Sequence, residues 1–272
     1  MDVLSDAVTA ARTGRPHSNL IRHTTPFSGQ FPAADGAGFH VVLRGTCTLT
    51  VAGGEPIPLG PGDVAFLPWG AAHSLAGSSV DMLCGAYLHD RSRTHPLLAD
   101  LPELVHLPAE IGRRPDLRSA ITLLGGELQA GGPGSDAMVP ALLEVLLLHI
   151  LRAWYAEAGT PWAEALRDPA VASALRAIHH NMAHPWTVAE LAATAGLSRA
   201  TFARRFGALI GRPPLAYLTW WRMTTAAGLL RSGDIPLAAL AGRVGYASEY
   251  AFAHAFKREH GVPPGAYRLR KG

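Results

Sequence analysis

The chain has 272 residues, of which 48% are hydrophobic and 17% charged, a mixture that can bury a sizeable core and excludes wholesale disorder. Its 29 Gly and 21 Pro are too scattered for a collagen-like or low-complexity protein, and the two cysteines, Cys47 and Cys84, exclude a disulfide-dense secreted scaffold. The net charge of +3 hides an asymmetry: residues 1–167 carry 11 Lys and Arg against 16 Asp and Glu, a net −5, whereas residues 168–272 carry 13 against 5, a net +8. The basic part is the electrostatic footprint of a phosphate-backbone binder.

The N-terminal stretch MDVLSDAVTAARTG has no basic region leading into an apolar one, so no secretory signal is expected. Short apolar segments at 40–45, 46–51, 57–59, 64–67 and 80–88, punctuated by Gly53-Gly54 and Gly60-Pro-Gly-Asp63, predict antiparallel strands in a sandwich or barrel. The Gly-rich stretch 125–140 reads as an exposed loop. Pro140 then opens a helical pattern that runs to Ala158 and stops at Gly159. The apolar run 141–155 is broken by Glu144, His149 and Arg152, short of the roughly 20 apolar residues of a bilayer span, so no membrane crossing is expected. Apolar residues cover most of this helix's circumference, so it is expected to be buried on more than one side. We expect one side against its own sheet and the other, with Leu147 and Leu151, against a second subunit.

From Asp168 onward the pattern is helical and repeats itself. Leu191, Ala192 and Gly196 recur 49 residues later as Leu240, Ala241 and Gly245; Phe202, Gly211, Pro213, Pro214, Ala216 and Tyr217 recur 50 residues later. The second copy is therefore one residue longer between its Gly and its Ser. Each copy reads as helix, Gly-containing turn, helix. Thr187 and Glu190 form a capping box, Gly196 and Gly245 end the first helices in the left-handed conformation, and Ser198 and Ser248 cap the second helices. Phe202 and Phe206, like Phe252 and Phe256, are four apart and face inward. This is helix-turn-helix grammar, whose second helix enters the DNA major groove. The outward faces carry Arg199, Ala200, Ala203, Arg204 and Arg205 in the first copy, and Ser248, Glu249, Tyr250, Ala253, His254 and Lys257 in the second. Arg can grip guanine bidentately and Ala can touch a thymine methyl.

The segment 168–270 resembles the AraC/XylS family of bacterial transcription regulators. Gly245-Tyr-Ala-Ser248, Phe252, Phe256-Lys-Arg, Gly261-Val-Pro-Pro and Tyr267-Arg268 look like that family's C-terminal motif, and Trp221-Arg-Met223 with Ala227 and Leu229-Leu230 looks like its linker helix. His254 stands where that family more often has Arg, and Ala200 with Ala203 gives the first recognition helix short arms. Upstream, Gly62, Pro68, Gly70 and His73 fit the second cupin motif and Val42-Leu-Arg-Gly45 looks like the end of the first. Together with His179, Trp186-Thr-Val188 and Ser198-Arg199, the whole chain is similar to AraC-type regulators with a cupin sensor, a group that includes redox- or reactive-chlorine-responsive activators. The resemblance implies an α+β protein: an N-terminal cupin β-barrel and dimerisation helices over 1–160, then an all-α tandem helix-turn-helix domain over 168–272. It also implies a cytoplasmic homodimeric activator, not an enzyme, whose partners are double-stranded DNA, a second copy and RNA polymerase, and whose cupin domain senses an effector or an oxidant.

A metal-dependent cupin enzyme with a helical appendage is the alternative. Gly38 stands where that family's Glu ligand is expected. Strand alternation allows His40 and His73 to meet inside. Two imidazoles begin a Zn or other divalent site, with Cys84, His23 or water completing it; otherwise they are interior histidines bonded to neighbours, or line an effector site. Cys47 and Cys84 are either packing residues or a redox switch, and a reactive Cys84 would need a lowered pKa.

Overall fold

The computed structural model describes residues 2–11, 14–88, 95–109 and 114–269. The chain opens with α1 (Val3–Ala11) and divides into two compact units: Ala11–Ala158, and Met1–Ala10 together with Gly159–Gly272. The first ten residues thus cluster with the helical unit and not with the expected 1–160 domain. The cause is a buried polar chain, in which Asp6 Oδ2 lies 2.8 Å from His179 Nδ1 and His179 Nε2 lies 2.8 Å from the Tyr217 hydroxyl.

The first unit contains β1 (His17–His23), β2 (Phe27–Phe31), β3 (Ala37–Val51), β4 (Ile57–Leu59), β5 (Val64–Leu67), β6 (His73–Tyr87), α2 (Pro96–Ala99), β7 (Val105–Leu107), α3 (Pro115–Ala130) and α4 (Ser135–Glu157). All strand pairs are antiparallel, in the order β1-β6-β3-β5-β7, with β2 also on β6 and β4 also on β3. Among the described residues the hydrogen-bonded path ends on β1 and β7 and does not close into the expected barrel. The segments 40–45 and 46–51 are one strand, kept continuous by bulges between Val42 and Arg44 and between Thr46 and Cys47. Bulges bend and twist a ribbon. Gly45, at φ 75°, sits where a Cβ would lie 2.1 Å from the Ser79 carbonyl oxygen, so only glycine allows this approach. Phe39, Val41, Val42, Leu49, Leu59, Leu75, Met82 and Leu83 fill the interior.

The stretch expected to be a loop, 125–140, is mostly helix. Gly125 and Gly126 lie inside α3, with Gly125 buried near Leu43 and Leu83, and α4 starts at Ser135, five residues before Pro140. Burial against the sheet overrides the low helix propensity of glycine. With 23 residues and a mean hydropathy of 1.6, α4 is long and apolar enough by composition to cross a membrane, contrary to the shorter run expected. It instead lies against α3 and buries Leu143, Leu146, Ile150, Leu151 and Tyr155, and its Leu143 carbonyl accepts from the Tyr87 hydroxyl at 2.9 Å. Leu151 is therefore core, not a face turned to a partner.

The second unit adds α5 (Pro161–Arg167), α6 (Pro169–His180), α7 (Val188–Thr194), α8 (Arg199–Ile210), α9 (Pro214–Ser232), α10 (Leu237–Arg243), α11 (Glu249–His260) and α12 (Pro264–Leu269) to α1.

Candidate functional site

The two repeats fold as two helix-turn-helix motifs, α7–α8 and α10–α11. Thr187 Oγ1 accepts from Glu190 N at 3.1 Å while Glu190 Oε2 accepts from Thr187 N at 2.8 Å, completing the capping box on α7. Gly196 and Gly245 turn the chain at φ 66° and 81°, and the next amides, of Leu197 and Tyr246, close back on the Ala192 and Ala241 carbonyls. Ser198 accepts from Thr201 N and Ser248 from Ala251 N, which starts α8 and α11. Phe202, Phe206, Phe252 and Phe256 are all fully buried.

With those faces inward, the opposite faces are open. On α8, Arg199, Ala200 and Arg204 are exposed and Ala203 is half-buried. Arg205 is exposed but tied: its Nε donates to Asp168, whose carboxylate also caps α6 by accepting from Ala170 N and Val171 N. On α11, Ser248, Glu249, Tyr250, His254 and Lys257 are exposed and Ala253 is half-buried; Tyr250 is 83% exposed. Tyr250, His254 and Lys257 lie four and three residues apart and form one stripe. An exposed aromatic side chain beside two potential cations has no packing role here and suits a groove of bases and phosphates.

In the cupin unit, Cys84 pairs with His40 across β3 and β6, and His73 reaches the same point from the far end of that ribbon. Cys84 Sγ lies 3.0 Å from His40 Nδ1, and His40 Nε2 lies 2.8 Å from His73 Nε2. His73 Nδ1 is 2.8 Å from the Ala71 carbonyl. A carbonyl only accepts, so His73 Nδ1 carries a proton and, in neutral rings, the order follows: Cys84 donates to His40, His40 to His73, and His73 to Ala71. Burial pushes the His40 imidazole down to about 3, with His73 as a second cause, and lowers His73 as well. Burial pushes the Cys84 thiol up to about 12, with Cys47 adding to it, the opposite of the lowered pKa expected for a reactive Cys84. Cys47 is buried, also raised by burial, and packs in the cluster that Cys84 borders.

Among the described residues no group of three or more His, Cys, Asp or Glu is placed to hold a metal. His40 and His73 bond to each other, and His23, a candidate third ligand, stacks on Phe27 at 4.0 Å between ring centres. The donor set thus does not fit the four-ligand zinc site considered from sequence. A cavity of about 340 Å³ opens beside this chain of groups, lined by Phe31, Pro32, Thr50, Val51, Ala72 and His73. Phe31 stacks on His73 with ring centres 4.8 Å apart. Sequence reading anticipated the meeting of His40 and His73; the cavity carried no sequence signal.

A curled cupin sheet in one unit and two helix-turn-helix motifs in the other define a DNA-binding regulator. Residues 2–156 match the Cupin family and residues 191–270 a Helix-turn-helix domain family. The chain is 36% identical over 300 residues to a putative AraC-like transcription regulator of Streptomyces lividans, covering 98% of each chain. It is 34% identical over 240 residues to the RCS-specific HTH-type transcriptional activator RclR of Escherichia coli (strain K12), covering 85% of this chain and 84% of that one. The crystal structure of the DNA-binding domain of AdpA in complex with a target DNA is 37% identical, covering 38% of this chain and 91% of that chain, at a TM-score of 0.36. The chain belongs to the AraC family of DNA-binding transcription regulators.

Proposed function

We propose that this regulator binds a specific DNA site as a homodimer, reads it with both recognition helices, and takes its input in the cupin unit through the Cys84–His40–His73 chain. The observation that carries the input reading is the hydrogen-bonded order of those three residues, which holds a protonated thiol against a proton acceptor. An oxidant of the hypochlorous acid class oxidises the Cys84 sulfur by two electrons: the sulfur attacks chlorine, the S–Cl bond forms as the Cl–O bond breaks, and the departing hydroxide takes the thiol proton and leaves as water, so that Cys84 no longer donates to His40 Nδ1. The polar register of the ribbon is thereby rewritten. The same groups argue for a sensor over an enzyme, because both imidazoles are spent on each other and not on a metal.

A second reading has one observation in its favour. The cavity beside His73 has mainly apolar walls with Gln30, Thr50, Ser74 and one imidazole among them, which suits a small, largely apolar effector that displaces or bonds that ring. The exposed apolar residues Leu123 on α3 and Met138 and Val145 on α4 support a second copy as the partner of that helix pair. Contact with RNA polymerase, and activation as the output, follow from the kinship with an activator.

The test uses the reduced full-length protein and an operator selected from random DNA. Cys84→Ser is expected to keep wild-type basal affinity and to lose only the change on adding hypochlorite. If Cys84→Ser responds as wild type does, the thiol reading is wrong, and Val51→Trp, which fills the cavity, then tests the effector reading. Val145→Glu is expected to give folded monomers in sedimentation; a wild-type protein that is monomeric at micromolar concentration refutes the dimer.

A further inference from the structure

We propose that Arg222 is the positioning residue that locks the two helix-turn-helix motifs at one separation and so sets the operator spacing this regulator accepts. The inference rests on the reading that both motifs engage DNA together.

The helix α9 belongs to two cores. Its first half faces the first motif and α6: Tyr217 meets Phe206 of α8 with ring centres 5.8 Å apart and Trp221 stacks on His179 of α6 at 4.3 Å. Its second half, with Met223, Ala226, Ala227 and Leu230, packs with Phe252 and Phe256 of the second motif. Arg222 stands where one core gives way to the other. A continuous helix of 19 residues, about 28 Å long, still bends and twists along its length. Something beside the helix axis must hold the two motifs at a fixed angle.

The Arg222 guanidinium does so. Its Nε donates to the Met182 carbonyl at 2.8 Å and its Nη2 to the His184 carbonyl at 2.8 Å. These carbonyls belong to the loop that leads into α7. The loop is itself stiff: Trp186 Nε1 donates to the Asn181 carbonyl at 2.9 Å, and His184 Nε2 lies 3.4 Å from Glu190 of the capping box. The other side of the guanidinium lies over the Tyr246 ring, 5.7 Å from its centre, in the turn of the second motif. The neighbouring Gly245 is so close that a Cβ there would lie 2.7 Å from Arg222 Nη2 and 2.6 Å from the Ala183 carbonyl oxygen. One side chain therefore holds the lead-in of the first motif and the turn of the second. The planar fork supplies two directed donors and a stacking face at once, which an ammonium cannot.

The experiment selects an operator from random DNA with the wild-type full chain, then makes versions with one base pair added or removed between its halves, and each half alone. Wild type is expected to prefer its own spacing by about tenfold or more. Arg222→Ala is expected to bind each half as wild type does, to unfold cooperatively, and to retain less than about threefold spacing preference. Arg222→Lys, which reaches one carbonyl and cannot stack, is expected to lose the preference as Arg222→Ala does. Tyr246→Leu, which removes the ring under the guanidinium and keeps an apolar side chain against the second motif's core, gives the same loss of preference and serves if Arg222→Ala does not fold. Wild-type spacing preference in folded Arg222→Ala, or an equal loss on halves and whole, overturns the proposal. A wild type that binds a half as tightly as the whole overturns it together with the two-motif reading.

Discussion

Removing the carboxylate of Asp6 tests whether α1 is part of the DNA-binding unit. Asp6, His179 and Tyr217 are buried, and the His179 nitrogens lie 2.8 Å from Asp6 Oδ2 and 2.8 Å from the Tyr217 hydroxyl. In Asp6→Ala the Nδ1 of His179 loses this buried hydrogen bond, and removing one partner of a buried hydrogen bond costs about 1–3 kcal/mol. The unit has about 120 residues, for which the entropy of unfolding converts each kcal/mol into roughly 4 °C. The expected fall in Tm is therefore roughly 4–12 °C. Tryptophan fluorescence reports it locally, because Trp221 stacks on His179 and Trp162 lies against Tyr217. Asp6→Asn keeps an acceptor oxygen and should lose less. Deletion of residues 1–10 should lower Tm at least as far as Asp6→Ala. If neither Asp6→Ala nor the deletion moves Tm by more than about 1 °C, the docking of α1 is refuted.

Arg204→Ala should weaken specific binding by about 1–3 kcal/mol if that side chain reads a base, measured by anisotropy against random DNA; equal losses on both make it a phosphate contact. Arg205→Ala should act mainly on stability, by no more than about 1 kcal/mol because its side chain is 51% exposed. The cupin unit should also show a pH signature in chemical denaturation. An unfolded His40 gains its proton near 6.5 while the folded one waits until about 3, so the unfolded state binds more protons between those values. Stability falls as pH drops through that window, by up to about 1.4 kcal/mol per pH unit for one proton. Lowered His73 acts in the same direction. At the other end the unfolded thiol of Cys84 ionises near 9.0 and the folded one near 12, so stability falls as pH rises between them. His40→Gln should flatten the acid limb, and an unchanged slope would sink the assignment.

The helical half was legible because its rules are local. A capping box, a left-handed glycine and an N-cap serine each act within four residues, and the repeat doubled every signal. Hence Thr187, Gly196, Ser198, Gly245 and Ser248 stand where sequence reading put them, with the bonds expected of them. The same locality explains the errors. Gly125 and Gly126 look like a loop to any local rule, and only the sheet against which α3 packs makes them helical. Locally Arg205 is one more outward cation beside Arg204; only the fold shows that Asp168, 37 residues away, holds it.

The sequence by itself determined the tandem motifs and the charge division between the two parts, because periodicity, capping and composition are written residue by residue; the cupin character of the first part came from the resemblance of Gly62, Pro68, Gly70 and His73 to a family motif. The meeting of Cys84, His40 and His73 is of another kind. His40 pairs with Cys84, and Val51 with His73, so the two histidines sit at opposite ends of a ribbon about ten residues long. An uncurled ribbon of that length would hold them roughly 30 Å apart. They touch because two bulges and a glycine at φ 75° curl the ribbon back on itself. Alternation told which face His40 would take; curvature, a sum of small twists over many residues, decided what it would find there. The same holds for α1, whose pairing with His179 spans 173 residues of sequence and exists only in the folded unit.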